Sequence, residues 1–217
     1  MLCTVAAKAQ PKAGTFSIIP RLGVSIATTT DKLALVDGQS LDAKYKAGFT
    51  GGVDLDYQAT SLVSVSLGAY YTMQGNRLGS WEYDTSVKNQ SVGVENARLS
   101  LSYLSVPLMA NVYVSQGLAV KAGLQADIAL DGKYAWDETT VTKLEDGTYN
   151  VGQTEEVKTD YPLKSFGLTI PVGLSYEYMN VVLDARYNFG LSNIYDGPGD
   201  SVRKNSFLFT IGYRFAL

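Results

Sequence analysis

The sequence predicts an all-β chain, an eight-stranded antiparallel up-and-down transmembrane β-barrel. Three observations carry that prediction. Eight stretches alternate apolar and polar residues with period two, one phase of them is almost free of charge, and the connections between them alternate between short and long. Side chains alternate across a strand, so period two gives each strand one oily and one polar face. A water-soluble barrel turns the oily face inward. Here the polar phase carries the charges, the glycines and the small residues, while the oily phase carries the bulk. That is the pattern of a barrel whose outer solvent is lipid.

The strands are expected at 15–27, 47–57, 62–75, 98–114, 118–134, 164–178, 181–191 and 205–217. A tilted strand of about 9–11 residues crosses the hydrocarbon layer, so each is long enough. The first strand turns Phe16, Ile18, Leu22, Val24 and Ile26 outward, and the second Phe49, Val53, Leu55 and Tyr57. The third contributes Val63, Val65, Leu67, Ala69, Tyr71 and Met73. In the fourth, Leu99 and Leu101 lie in one phase and Leu104, Val106, Leu108, Ala110, Val112 and Val114 in the other. A β-bulge near Tyr103-Leu104 is expected to restore the register. Leu118 to Leu130 and Phe166 to Tyr178 alternate without a charge on the oily side. The last two strands add Val181, Leu183, Ala185, Tyr187, Phe189 and Leu191, then Phe207, Phe209, Ile211, Tyr213 and Phe215. A cation on that face would cost about 2–4 kcal/mol at the midplane, so its absence is informative.

Two charge-free runs, 57–76 and 99–120, have the length of a membrane-crossing helix, but both alternate strictly and each contains a polar break. Each is therefore read as two strands and a turn. The connections at 58–61, 115–117 and 179–180 are short, whereas the other four run to roughly 19, 22, 29 and 13 residues. Tight turns at one end and long loops at the other match outer-membrane barrels, whose turns face the periplasm. Tyr57, Tyr113, Tyr176, Tyr178, Tyr213 and Phe215 fall near the turn end and are expected to form an aromatic girdle.

The inward phase collects Arg21, Asp54, Asp56, Lys121, Asp127, Glu177, Asp184, Arg186 and Arg214, four cations and five carboxylates. Eight strands enclose a space that side chains roughly fill. Charges there must pair, because an isolated buried ion is very costly. A salt-bridge network that fills the lumen is the expectation; a gated narrow ion path is the alternative use of the same residues.

Chemistry is bounded by what is missing. The chain has no histidine, which excludes Ser–His and Asp–His catalysis. The carboxylate pairs Asp54/Asp56 and Glu155/Glu156 remain, but neither has a partner that makes a catalytic site. No phosphate-binding glycine loop, dinucleotide motif or cysteine metal cluster is present. No catalytic residue, metal or cofactor is expected. A net charge of −3 gives no electrostatic case for nucleic acid.

The long loops are the better place for function. The loop at 135–163 holds seven acids, Asp137, Glu138, Glu145, Asp146, Glu155, Glu156 and Asp160, against Lys143 and Lys158. Thr140-Val141-Thr142 and Thr148-Tyr149-Asn150-Val151 flank an Asp146-Gly147 turn signal, so a hairpin reaching beyond the membrane is expected. Trp81 and Trp136 sit at loop bases, where they are expected to anchor at the outer interface. At the other end, Ala7-Lys8-Ala9 reads as the close of a secretory leader cleaved before Gln10. Residues 1–9 would then be the remnant of a signal peptide and 10–217 the barrel domain; an ordinary disordered N-terminus is the alternative.

Three segments carry a family resemblance: Tyr103-Leu104-Ser105-Val106-Pro107-Leu108, the run from Asp184 to Asn193, and Gly212-Tyr213-Arg214-Phe215. They resemble the small outer-membrane β-barrel proteins of Bacteroidetes, the group that includes the PorT-like family. The class is also similar to OmpA- and OmpX-like eight-stranded barrels. Such barrels usually end on an aromatic residue, and here Phe215 precedes the end by two positions. The resemblance implies a bacterial outer-membrane location and a non-enzymatic role. That role is presentation of extracellular loops for adhesion, envelope or ligand interaction, or alternatively accessory work in protein secretion or envelope assembly. The expected partners are outer-membrane lipids and an extracellular ligand or secretion-machinery protein, with the chain acting as a monomer. A narrow ion channel and a soluble lipocalin-like carrier are the remaining alternatives.

Overall fold

A computed structural model describes residues 12–30, 32–34, 40–197 and 201–217. The strands in chain order begin with β1 (Phe16–Thr29), β2 (Lys32–Ala34), β3 (Ser40–Asp42), β4 (Lys44–Gln58), β5 (Val63–Arg77) and β6 (Trp81–Asp84). They continue with β7 (Gln90–Ser115), β8 (Leu118–Lys143), β9 (Tyr149–Asp160), β10 (Phe166–Tyr178), β11 (Val181–Gly190), β12 (Lys204–Tyr213) and β13 (Phe215–Ala216). Eight of them close an antiparallel ring in the order β1, β4, β5, β7, β8, β10, β11, β12, with β12 returning to β1. β2 and β3 form a separate ribbon, β13 adds to the start of β1, and β6 and β9 extend from β7 and β8. The expected leader remnant, residues 1–9, lies outside the described residues.

The side-chain phases show that the barrel is inside out. Leu22 and Leu124 are 61% and 60% exposed, whereas Ser25 and Asp127 are 0% exposed. The apolar belt therefore faces outward on every ring strand, and the polar phase faces the axis. The short connections match the expected turns. Met179 and Asn180 take φ of +49° and +68°, the two left-handed residues of a type I′ hairpin. Gly117 takes φ +74° between β7 and β8, and a side chain there would press on the carbonyl oxygen of Glu177.

β7 corrects the expected bulge. Leu99, Leu101, Tyr103 and Met109 are all buried, while Leu104, Leu108 and Val112 are exposed. The phase of β7 is thus unbroken here. The pairing shifts between Ser102↔Asp131 and Tyr103↔Ala129, so the extra residue is Leu130 on β8. Leu99 and Leu101 face inward and pack with Tyr103, Ile194 and Val202 into an apolar lid over the outer end of the lumen. Tyr161, Leu163 and Tyr195 pack against it. Tyr113 is likewise inward and buried, so it does not belong to the girdle.

Two strands outrun the membrane. β7 and β8 have 26 residues each, about 85 Å of chain at about 3.3 Å per residue, against an apolar band about 25 Å tall. Their upper halves pair with β6 and β9 to make a four-stranded sheet standing above the ring. The β8–β9 hairpin turns where Asp146-Gly147 marked it. Gly147 has φ +84°, and Asp146 Oδ1 accepts from the backbone N–H and the hydroxyl of Thr148 at 2.9 and 2.6 Å.

Candidate functional site

The inward charges sit in three tiers along the axis. At the turn end, Arg214 donates from Nη1 to Asp56 at 2.7 Å, from Nε to Glu177 at 2.9 Å and from Nη2 to the Tyr113 hydroxyl at 3.3 Å. Asp56 also accepts from Ser64 at 2.9 Å and Asn111 at 3.3 Å. The middle tier is built on two aspartates. Asp184 accepts from Lys121 Nζ and Arg186 Nε, each at 2.5 Å, with Arg21 Nη1 at 3.8 Å. Asp54 accepts from Arg21 Nε at 2.7 Å, and Arg186 Nη2 lies 3.9 Å from it. In the upper tier Asp127 takes hydrogen bonds from Ser105 and Thr169 at 2.6 Å and Gln125 at 2.8 Å. Lys204 Nζ pairs with the same carboxylate at 3.0 Å and lies 3.5 Å from the centre of the Tyr103 ring.

Each of the nine inward residues named from sequence is at most 6% exposed. Among the described residues Lys204 is the tenth, and it changes the arithmetic to five cations and five carboxylates. It shares the even-numbered parity of Ser206, Thr210 and Arg214, but the expected strand began one residue too late to include it. Ser105, Gln125, Thr169 and Tyr103 were also missed, because single polar side chains on an alternating strand give no pairing signal. The space left among Arg21, Asp56, Lys121, Glu177 and Arg214 is only about 10 Å³, at most one water.

The loop candidates fall into two groups. Trp81 pairs with Val94 and Val94 with Glu138, so Trp81, Glu138 and Trp136 share the sheet face that holds the buried Val94. Trp136 stacks on Tyr134 at 5.2 Å, and its Nε1 donates to Glu138 at 2.7 Å. Both tryptophans thus continue the inner wall and turn away from lipid. Asp137 pairs with Glu156 across β8 and β9 on the outer face, and Asp137 accepts from Asn96 at 2.8 Å. Glu156 bridges Arg98 and Lys158, the latter at 2.6 Å. Those hydrogen bonds, Lys158 foremost, hold its carboxyl below the ordinary glutamate value. Thr148 does the same for Asp146. Glu145, Asp146 and Glu155 are solvent-exposed.

Chemically the arrangement offers little to a substrate. Asp54 and Asp56 are each gripped by an arginine, and Glu155 and Glu156, as neighbours on one strand, point to opposite faces. Among the described residues no group of three or more acids or other metal-ligating side chains is arranged to hold an ion.

A closed ring with lipid outside and paired ions inside defines an outer-membrane β-barrel. The chain belongs to the family described as outer membrane protein beta-barrel domain, which matches residues 8–196, and it resides in the bacterial outer membrane. Among solved structures it is similar to the attachment invasion locus protein Ail of Yersinia pestis, with 17% identity, a TM-score of 0.44, and 94% of this chain and 99% of that chain covered. Neisserial surface protein A gives 15% identity and a TM-score of 0.47 over 92% of this chain and 97% of that one. The outer membrane protease OmpT from Escherichia coli gives 11% and 0.46 over 94% and 97%. No curated protein matches the chain by sequence.

Proposed function

We propose that the barrel is a rigid, non-enzymatic anchor that presents the β8–β9 hairpin to a basic ligand outside the cell. One observation carries this reading. β9 is a 12-residue edge strand whose outer side has no partner strand among the described residues, and every one of its residues except Val157 is exposed. An open edge is a template for strand addition. The excess of acids over bases across 135–163 leaves −5 on that template, which selects a cationic partner. The ring satisfies every strand edge inside the bilayer, so a monomer suffices.

The test is excision of residues 139–156 with the ends joined by a short turn. Bacteria displaying the intact protein should attach to a surface coated with a lysine-rich peptide. The excised form should lose attachment while keeping the heat-dependent gel mobility of a folded barrel. Attachment that survives excision would defeat the reading. The secretion-accessory alternative uses the same edge with a translocon partner, and co-purification of such a partner with the intact protein alone would favour it. The channel alternative is opposed by the filled lumen.

A further inference from the structure

Beside the acidic hairpin, and sharing Ala135 and Lys158 with it, a cationic cluster has no role so far. Pairing aligns Lys44 with Arg77, Arg77 with Arg98, Arg98 with Ala135, and Ala135 with Lys158. Directly paired residues share a face, so four cations and one alanine form a single row across five strands. At about 4.8 Å per strand the row spans about 19 Å. Lys46 lies beside it, its Nζ donating to the Leu99 carbonyl at 3.0 Å and to the Ser100 hydroxyl.

Three features make the row a site rather than scattered surface charge. First, like charges directly opposite one another are destabilising. Among the described residues the row's ion pairs lie only toward its far end, where Glu156 holds Arg98 and Lys158. Lys44 and Arg77 are exposed and face each other, and among the described residues neither forms an ion pair. Second, Lys44, Arg77 and Arg98 line an open cleft of about 510 Å³ together with Ser80, Asn96 and a single carboxylate, Asp137. Third, the row lies directly above the lipid-facing belt. On the same outward faces below it stand Phe49 on β4, Tyr71 and Met73 on β5, and Leu104 on β7, all exposed.

We propose that this row binds the phosphorylated sugar headgroup of an outer-leaflet glycolipid, whose acyl chains lie along Phe49, Tyr71, Met73 and Leu104. The occupant must be amphiphilic, because the cations sit at headgroup height and continue into the apolar wall. It must be anionic, because the row is positive on a chain of net charge −3. Basic clusters at that level recognise lipid phosphate, and arginine grips it bidentately.

The experiment uses the full chain purified in detergent and native mass spectrometry, with bisphosphorylated lipid A and its dephosphorylated form as probes. The wild-type protein should retain the phosphorylated lipid about tenfold or more better than the dephosphorylated one. Lys44→Gln/Arg77→Gln should lose that preference while keeping heat-dependent gel mobility, and Lys44→Arg should keep it. Should the double variant not fold, Lys44→Gln alone should show a smaller loss in the same direction. Equal retention of the two lipids, undiminished retention by the variants, or displacement by millimolar inorganic phosphate would overturn the proposal; the last would mean an adventitious ion only.

Discussion

Asp184 in the lumen and Glu156 on the projecting sheet are both carboxylates held by two close cations, Lys121 and Arg186 in one case, Arg98 and Lys158 in the other. The side chain of Asp184 is 0% exposed and that of Glu156 39%. Burial decides what the same contact is worth. In the lumen each ion has lost its water, so every partner is obligatory, and the cations and carboxylates balance. On the sheet, water screens each pair and the acids outnumber the bases, leaving charge that a partner can use.

Removing a partner from each region should separate them most sharply. Asp184→Asn strands Lys121 and Arg186 in a dry interior and should cost about 3–5 kcal/mol, read from the midpoint of guanidinium unfolding in vesicles. Glu156→Gln should shift that midpoint far less, because water screens its pairs. Equal effects would erase the distinction between the two regions.

Next in size is a test of obligatory pairing itself. Asp127→Ala leaves Lys204 uncompensated and should destabilise by about 3 kcal/mol. Replacing both, as Asp127→Leu/Lys204→Met, should recover most of that loss, since no bare charge remains. A double variant as weak as the single one would show that the hydrogen bonds from Ser105, Gln125 and Thr169 matter more than the ion pair.

Acid should reach Glu156 only below the ordinary glutamate value. Its value is lowered in the fold, so the Arg98–Glu156–Lys158 link contributes above the unfolded value and fades only as pH falls through the folded one. A carboxyl-carbon NMR titration should place Glu156 below the ordinary glutamate value; titration at that value would remove the link from solution.

The smallest effect belongs to the turn at Met179. A methionine at φ +49° carries the left-handed penalty that glycine avoids. Met179→Gly should stabilise the barrel by about 1 kcal/mol, a shift of the same unfolding midpoint in the opposite direction from Asp184→Asn.

The sequence made the lipid-facing half of the molecule legible because hydrocarbon imposes a strict rule on alternate residues. Where the rule ends, reading fails. Above the bilayer neither face of β7, β8 or β9 touches lipid, so residues 90–97 and 135–143 lose the apolar alternation and were read as loop. The hairpin was still visible from its turn residues. At the mouth of the lumen the inner wall becomes apolar, and Leu99 and Leu101 were therefore assigned outward with a bulge on the wrong strand. Within the lumen, parity located the charged residues, but who pairs with whom depends on strands as distant as Asp56 and Arg214. The basic row was invisible, since Lys44, Arg77, Arg98 and Lys158 come together only through register.

Lys204 and Arg214 both lie in the C-terminal segment that meets β1. Before that segment docks, the other ring strands hold three interior cations against five carboxylates. An unfinished wall therefore carries surplus negative charge facing its own hollow, and the strand that closes the ring neutralises it. A ring without that strand lacks not only a seam but the two counterions that Asp127, Asp56 and Glu177 need in a dry interior.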